Sequence, residues 1–220
     1  MHAVLLRSVA LFSGGKDSFM AATLANEQGM EIEELITVLP EKDSFMYHYP
    51  NAVLAMYPAS ILGLKWVSLE ERAIAGYLAE KAGKGVECVI SGAVESEYQK
   101  TRIERMCAEN GMLSYNPLWR KSHDLILEEI NRRGIRAIIV SVSAEGLGIE
   151  LLGRELDRTM VEYLHSVNLK HGISLIGEGG EYETFVTGCA GSKKSVRVME
   201  SHNVVNGLAG FLFLDRLEVV

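Results

Sequence analysis

Val9-Ala10-Leu11-Phe12-Ser13-Gly14-Gly15-Lys16-Asp17-Ser18-Phe19-Met20-Ala21-Ala22-Thr23-Leu24-Ala25 runs from an apolar segment through a glycine pair into a second apolar-rich segment. The run ending at Phe12 predicts a short buried strand, and the run that follows predicts a helix over 16–29. Two successive glycines between them let the backbone approach an oxyanion without Cβ interference. Free N–H groups and the positive end of the helix dipole then face the same spot. Ser13, Ser18 and Lys16 add hydroxyl and ammonium donors. Asp17 is the odd member, because a carboxylate beside phosphate is useful mainly when a hard cation such as Mg²⁺ lies between them. Ser13, Gly14, Gly15, Lys16, Asp17 and Ser18 are therefore read as a phosphate-binding loop, with Asp17 as its candidate metal ligand. The plainer alternative is a glycine turn entering an ordinary helix.

Two other glycine loops fail on particular residues. A Walker A loop requires a glycine where Ala10 stands and Ser or Thr where Asp17 follows Lys16. A dinucleotide fingerprint fails at Gly146-Leu147-Gly148, where Leu151 replaces the third glycine.

Outward from the loop, the first 115 residues repeat the same alternation. Ile32 to Leu39 precedes a helical segment at 51–62, Lys65 to Leu69 precedes 70–83, and Val86 to Ile90 precedes 96–111. Unbroken β-branched runs between helices predict strands covered on both faces, hence a doubly wound parallel α/β sheet. After Pro117 the texture changes. A helix is predicted at about 122–133, a strand at Ala137 to Val142, a Gly-rich stretch through Gly153 and a helix at about 155–169. Strands are then predicted at Tyr182 to Val186, Ser195 to Val205 and Leu208 to Val220. This predicts a first domain over 1–120 that carries the phosphate-binding loop and a second, smaller α/β domain over 121–220.

Composition narrows the classes. The 220 residues are 48% hydrophobic and 23% charged, as in a water-soluble globular protein, and no apolar run is long enough to span a bilayer. The first residues lack the features of a secretory signal, so the expected compartment is the cytoplasm. A net charge of −7 disfavours nucleic acid as a partner. Cys88, Cys107 and Cys189 form no C-x-x-C pair, which argues against a zinc knuckle or a disulfide framework. Oligomeric state is left open.

Two further constellations carry candidate chemistry. Ser91-Gly92-Ala93 closes a predicted strand and is followed by a helix bearing Tyr98, Gln99, Arg102 and Glu104. Ligands bind beyond the carboxyl ends of such strands, so Gly92 and Ala93 are expected near the phosphate loop if the two strands are neighbours. Tyr98 and Arg102, four residues apart, share a helix face; the alternative is a solvated face held by internal ion pairs. Gly177-Glu178-Gly179-Gly180-Glu181-Tyr182-Glu183-Thr184 packs three carboxylates among glycines before a strand. That is more acid than a plain turn requires, and it suits Mg²⁺ binding, ammonium orientation or general base catalysis.

Ser13 to Ser18 resembles the S-G-G-x-D-S loop of the PP-loop, or N-type, ATP pyrophosphatases, whose HUP-like (adenine nucleotide α-hydrolase-like) fold the alternation above matches. The resemblance implies cleavage of ATP between its α- and β-phosphates, with the loop holding the departing pyrophosphate. Ser91-Gly92-Ala93, Tyr98 to Glu104, Pro117-Leu118-Trp119 and Gly177 to Thr184 resemble the diphthine–ammonia ligases of that superfamily, in their compact archaeal-type form. This implies amidation of diphthine on translation elongation factor 2 with free ammonium, through an acyl-adenylate, using ATP and Mg²⁺. Gly92 and Ala93 would then lie near the nucleoside. Asp17, Tyr98, Arg102, Glu104, Glu178, Glu181 and Glu183 would serve catalysis. His48, Asn51, Gln99, Gly179, Gly180, Tyr182 and Thr184 would be substrate contacts, His48 and Asn51 coming from the family-like segment Phe45 to Asn51. The alternatives are a PP-loop enzyme that modifies tRNA or amidates a small acid, and an adenine-nucleotide sensor without turnover.

Overall fold

A computed structural model describes residues 5–39 and 51–220, so His48 lies outside the described residues. The first half reads β1 (Arg7–Leu11), α1 (Lys16–Glu27), β2 (Glu31–Leu39), α2 (Met56–Leu62), β3 (Trp66–Glu70), α3 (Ile74–Gly83), β4 (Cys88–Ile90), α4 (Glu97–Glu109) and β5 (Leu113–Tyr115). Its five strands form a parallel sheet in the order β3-β2-β1-β4-β5. Neighbouring residues along each strand serve opposite faces. Ala10, Leu35 and Ile90 enter one apolar cluster with α1 and α2, whereas Val9, Ile36 and Val89 enter another with α3 and α4. Burial on both faces explains why these strands read as continuous apolar runs. Cys88 sits in this core, and burial pushes its thiol up to about 11.

One charged knot interrupts the first sheet. Glu34 is buried on β2, yet Lys65 and Lys81 reach its carboxylate at 3.0 and 2.6 Å and the Tyr77 hydroxyl donates to it. Burial alone would raise the pKa of Glu34, but bonds from Lys81, Tyr77 and Lys65 outweigh it and hold the carboxyl below the ordinary range.

The second half reads α5 (His123–Arg132), β6 (Arg136–Val142), α6 (Arg158–His171), β7 (Tyr182–Gly188), β8 (Val196–Asn206) and β9 (Ala209–Val219). Ser122 and Asp157 cap the two helices through their side chains. The four strands form an antiparallel sheet in the order β7-β6-β9-β8. The first apolar cluster continues without a break from Phe12 and Phe19 to Leu118, Ile126, Tyr182 and Phe185, so the two sheets share one core.

Three sequence expectations need adjustment. The strand at 113–115 was not anticipated, because three residues with half-exposed side chains carry no usable periodicity. The segment 51–62 is a 3₁₀ turn over Ala52–Ala55 followed by α2, where Pro58 falls within the first turn and its missing N–H costs nothing. The helix predicted from about 155 begins at Arg158, since Asp157 is its cap.

Candidate functional site

The strand order places the topological switch between β1 and β4, whose carboxyl ends open on the same side. The loop from Ser13 to Gly15 leaves β1 there and enters α1, with Gly15 as the N-cap. Gly14 has a φ of +81°, and a Cβ on it would crowd Ala55 and Pro58 of the α2 region. The loop is knitted internally. The Ser18 hydroxyl donates to the Gly15 carbonyl at 3.0 Å and accepts from the Ser13 N–H at 3.2 Å, while the Gly15 N–H donates to Ser13 Oγ at 3.3 Å. Gly92, leaving β4, packs so closely on the start of α1 that a Cβ would lie 2.7 Å from the Asp17 carbonyl carbon and the Ser18 nitrogen.

The second sheet closes over the loop. The Lys16 N–H donates to Thr184 Oγ1 at 3.1 Å and the Val186 N–H donates to the Gly14 carbonyl at 2.9 Å, so β7 is bonded to the phosphate loop. Lys16 is 3% exposed. Its ammonium donates to Asp17 Oδ2 at 2.8 Å and to the Ile176 carbonyl, and lies 5.1 Å from the centre of the Tyr182 ring. That ammonium serves mainly to bind Asp17 and the 173–176 segment to the loop. The Tyr182 phenol, buried and donating to the Leu175 carbonyl, is raised well above its ordinary pKa by burial and then by the charges of Asp17 and Glu181. It remains a neutral donor.

A cavity of about 480 Å³ lies between these elements, a size suited to a small ligand. One wall is apolar, with Ile36, Val38, Ile74, Ile103 and Met106. The cavity is also lined by the Ser13–Ser18 loop, Gly92, Ala93, Glu178, Gly180, Glu183 and Thr184. Tyr98, Gln99 and Arg102 of α4 stand along it, with Tyr98 three-quarters exposed. Arg102 pairs with Glu71 at 2.6 Å across the surface, which joins the two alternatives posed for this helix face: an internal ion pair is present and the face lines the cavity.

Other expected site residues are engaged in bonds of their own. Glu104 pairs with Lys100 at 2.6 Å, one helical turn away, and is not among the residues lining the cavity. Glu181 accepts from the Ser174 and Gly179 N–H groups, both at 2.9 Å, and faces an adjoining cleft with Gly179. It acts as the hub of its own turn. Asn51 lines the cavity, but its amide donates to the Leu212 carbonyl and accepts from the Leu214 N–H, binding the 51–62 segment to β9. Sequence reasoning missed the apolar wall, which is assembled from β2, α3 and α4 and has no local signature.

Asp17 Oδ1 is buried without a hydrogen-bond partner beside this cavity. An orphaned carboxylate oxygen next to a phosphate-binding helix start fits Mg²⁺ shared with a nucleotide. Among the described residues no group of three His, Cys, Asp or Glu forms a protein-only metal cage.

Known proteins resemble the chain over nearly its whole length. Diphthine–ammonia ligase from Homo sapiens is 32% identical, with 94% of this chain and 88% of that protein aligned. The enzyme of the same name from Danio rerio is 31% identical over 91% of this chain and 89% of its own. A solved Methanocaldococcus jannaschii structure, described as a predicted subunit of tRNA methyltransferase, covers 86% of this chain and 100% of its own at 19% identity, with a TM-score of 0.45. That likeness is too weak to bear on function. Residues 6–114 match the diphthamide synthase N-terminal domain and residues 122–220 the diphthamide synthase C-terminal domain. The chain, with its phosphate loop and acidic Gly-rich turn facing one cavity, belongs to the diphthamide synthase family.

Proposed function

We propose that the chain is an ATP-dependent diphthine–ammonia ligase, which amidates diphthine on translation elongation factor 2 and releases AMP and pyrophosphate. The observation that carries this reading is the single cavity joining an anion-binding helix start to the family's acidic segment. Its apolar wall suits an adenine ring, and the start of α1 suits the β- and γ-phosphates. A carboxylate oxygen of diphthine attacks the α-phosphorus, the bond to the bridging oxygen breaks, and pyrophosphate leaves toward the loop. Ammonia then attacks the acyl carbon, AMP departs, and a proton is lost from nitrogen. Donors aimed at the leaving pyrophosphate stabilise charge that develops only in the transition state. Mg²⁺, held by Asp17, would neutralise phosphate charge. Tyr98, Gln99 and Arg102, at the cavity rim, are assigned to substrate positioning.

Enzyme incubated with ATP, ammonium and unamidated elongation factor 2 is expected to yield AMP, pyrophosphate and an amidated factor in equal amounts. ADP as the product would overturn the reading. AMP formed equally well without the factor would instead favour another acceptor.

A further inference from the structure

We propose that Glu178 is a positioning residue that latches α4 onto the acidic turn. The inference rests on the ligase reading for its kinetic readout, but its structural content stands separately.

The Glu178 carboxylate reaches across 82 residues of chain. Its Oε1 accepts from the Glu95 N–H at 2.9 Å and from the Ser96 N–H at 2.8 Å. Ser96 is the N-cap of α4, and its own hydroxyl accepts from the Gln99 N–H. A carboxylate at this helix start is therefore bonded to two backbone donors and sits at the positive end of the helix dipole. Such hydrogen bonds are spent on holding the helix: both lone pairs of Oε1 are occupied by backbone N–H groups, which fixes the carboxylate against the start of α4.

The other end of the latch is rigid. Glu181 gathers the Ser174 and Gly179 N–H groups, and the Glu178 N–H donates to Ser174 Oγ. Gly177 has a φ of +72°, and a Cβ there would lie 2.4 Å from the Tyr182 carbonyl oxygen. Beyond Ser96, α4 presents Tyr98, Gln99, Arg102, Ile103 and Met106 to the cavity, a spacing that keeps them on one face. The position of that face is set where the helix begins. Glu178 thus orients the substrate-facing side of α4.

Glutamine and alanine variants test this role. Glu178→Gln keeps a carbonyl oxygen able to accept both N–H groups, so KM for ATP and for the factor is expected to stay within about threefold of wild type. Glu178→Ala removes the acceptor, and KM for ATP and for the factor is expected to rise about tenfold to a hundredfold, the scale of one charge-assisted bond, since loosening of the helix start is felt only in part at the cavity. Amide hydrogen exchange at Glu95 to Gln99 should quicken in the alanine variant and stay near wild type in the glutamine variant. A glutamine variant whose KM rises as far as that of the alanine variant, with exchange still protected, would overturn the positioning role. If wild type makes no AMP, the ligase reading fails, and unchanged exchange in the alanine variant would still refute the latch by itself.

Discussion

Replacing Gly92 with alanine puts a methyl group where the end of β4 touches the beginning of α1. The nearest atoms would be the Asp17 carbonyl carbon and the Ser18 nitrogen at 2.7 Å, with the Asp17 oxygen at 2.9 Å. All three are backbone atoms, so no side chain can swing aside. Restoring an ordinary contact requires β4 and the first turn of α1 to separate by about 0.7 Å. Overpacking of this kind costs about 1–3 kcal/mol, and for a chain of this size each kcal/mol lowers Tm by about 2–4 °C. The same displacement moves the Asp17 and Ser18 N–H groups, which as first-turn donors have no carbonyl partner within α1. ATP affinity is therefore expected to fall by about tenfold to a hundredfold, the usual consequence of misplacing binding groups by up to an ångström. Calorimetric titration of ATP and a thermal melt measure the two effects. Gly76→Ala is the control: Gly76 lies within α3 with nothing inside 4 Å of an added Cβ, so it is expected to stabilise the fold by about 0.5–1 kcal/mol and leave ATP binding alone. A Gly92→Ala protein that melts and binds ATP like wild type would refute the close-approach argument.

Thr184→Val keeps the side-chain shape but deprives the Lys16 N–H of its acceptor; leaving that donor unmade is expected to cost about 1–3 kcal/mol in urea unfolding and to raise KM for ATP. Glu34→Ala strands two lysines over a buried site and is expected to cost about 3–5 kcal/mol, measured in the same way. Tyr77 supplies a pH test, because burial and its bond to Glu34 push its phenol from 10.0 up to about 12. A pKa raised by folding means that the folded chain holds the proton more tightly. Its stabilising contribution is full below pH 10 and is lost as pH rises through 12. Melting temperature should thus fall more steeply between pH 10 and 12 in wild type than in Tyr77→Phe, and parallel slopes would remove the assignment.

Much of the phosphate half was legible in the residues because its determinants are contiguous. The strand, the glycine pair, the donors and the helix succeed one another between Val9 and Ala25, and nothing distant is needed to recognise them. The two-sided burial of the first sheet was equally legible. Pairs such as Val9 and Ala10, or Val89 and Ile90, are both apolar although they face opposite ways, which only a sheet covered on both faces demands.

The acidic segment was legible as a candidate, but the roles within it were not. Its three glutamates look equivalent in sequence, yet Glu181 ties its own turn, Glu178 grips α4, and Glu183 lines the cavity. Asn51, expected as a substrate contact, lines the cavity and also binds β9, a second role that its place in the sequence does not reveal. Local residues determined most of the elements and marked Ser13 to Ser18 as the candidate phosphate loop, because propensity, periodicity and helix-start chemistry act over a few residues. Only the tertiary structure decided that β4 lies beside β1, that Thr184 meets Lys16 across 168 residues, and that α4 is held from the far end of the chain. Those pairings depend on which buried faces and unsatisfied backbone groups find each other, and a chain of side chains read in order carries no record of that encounter.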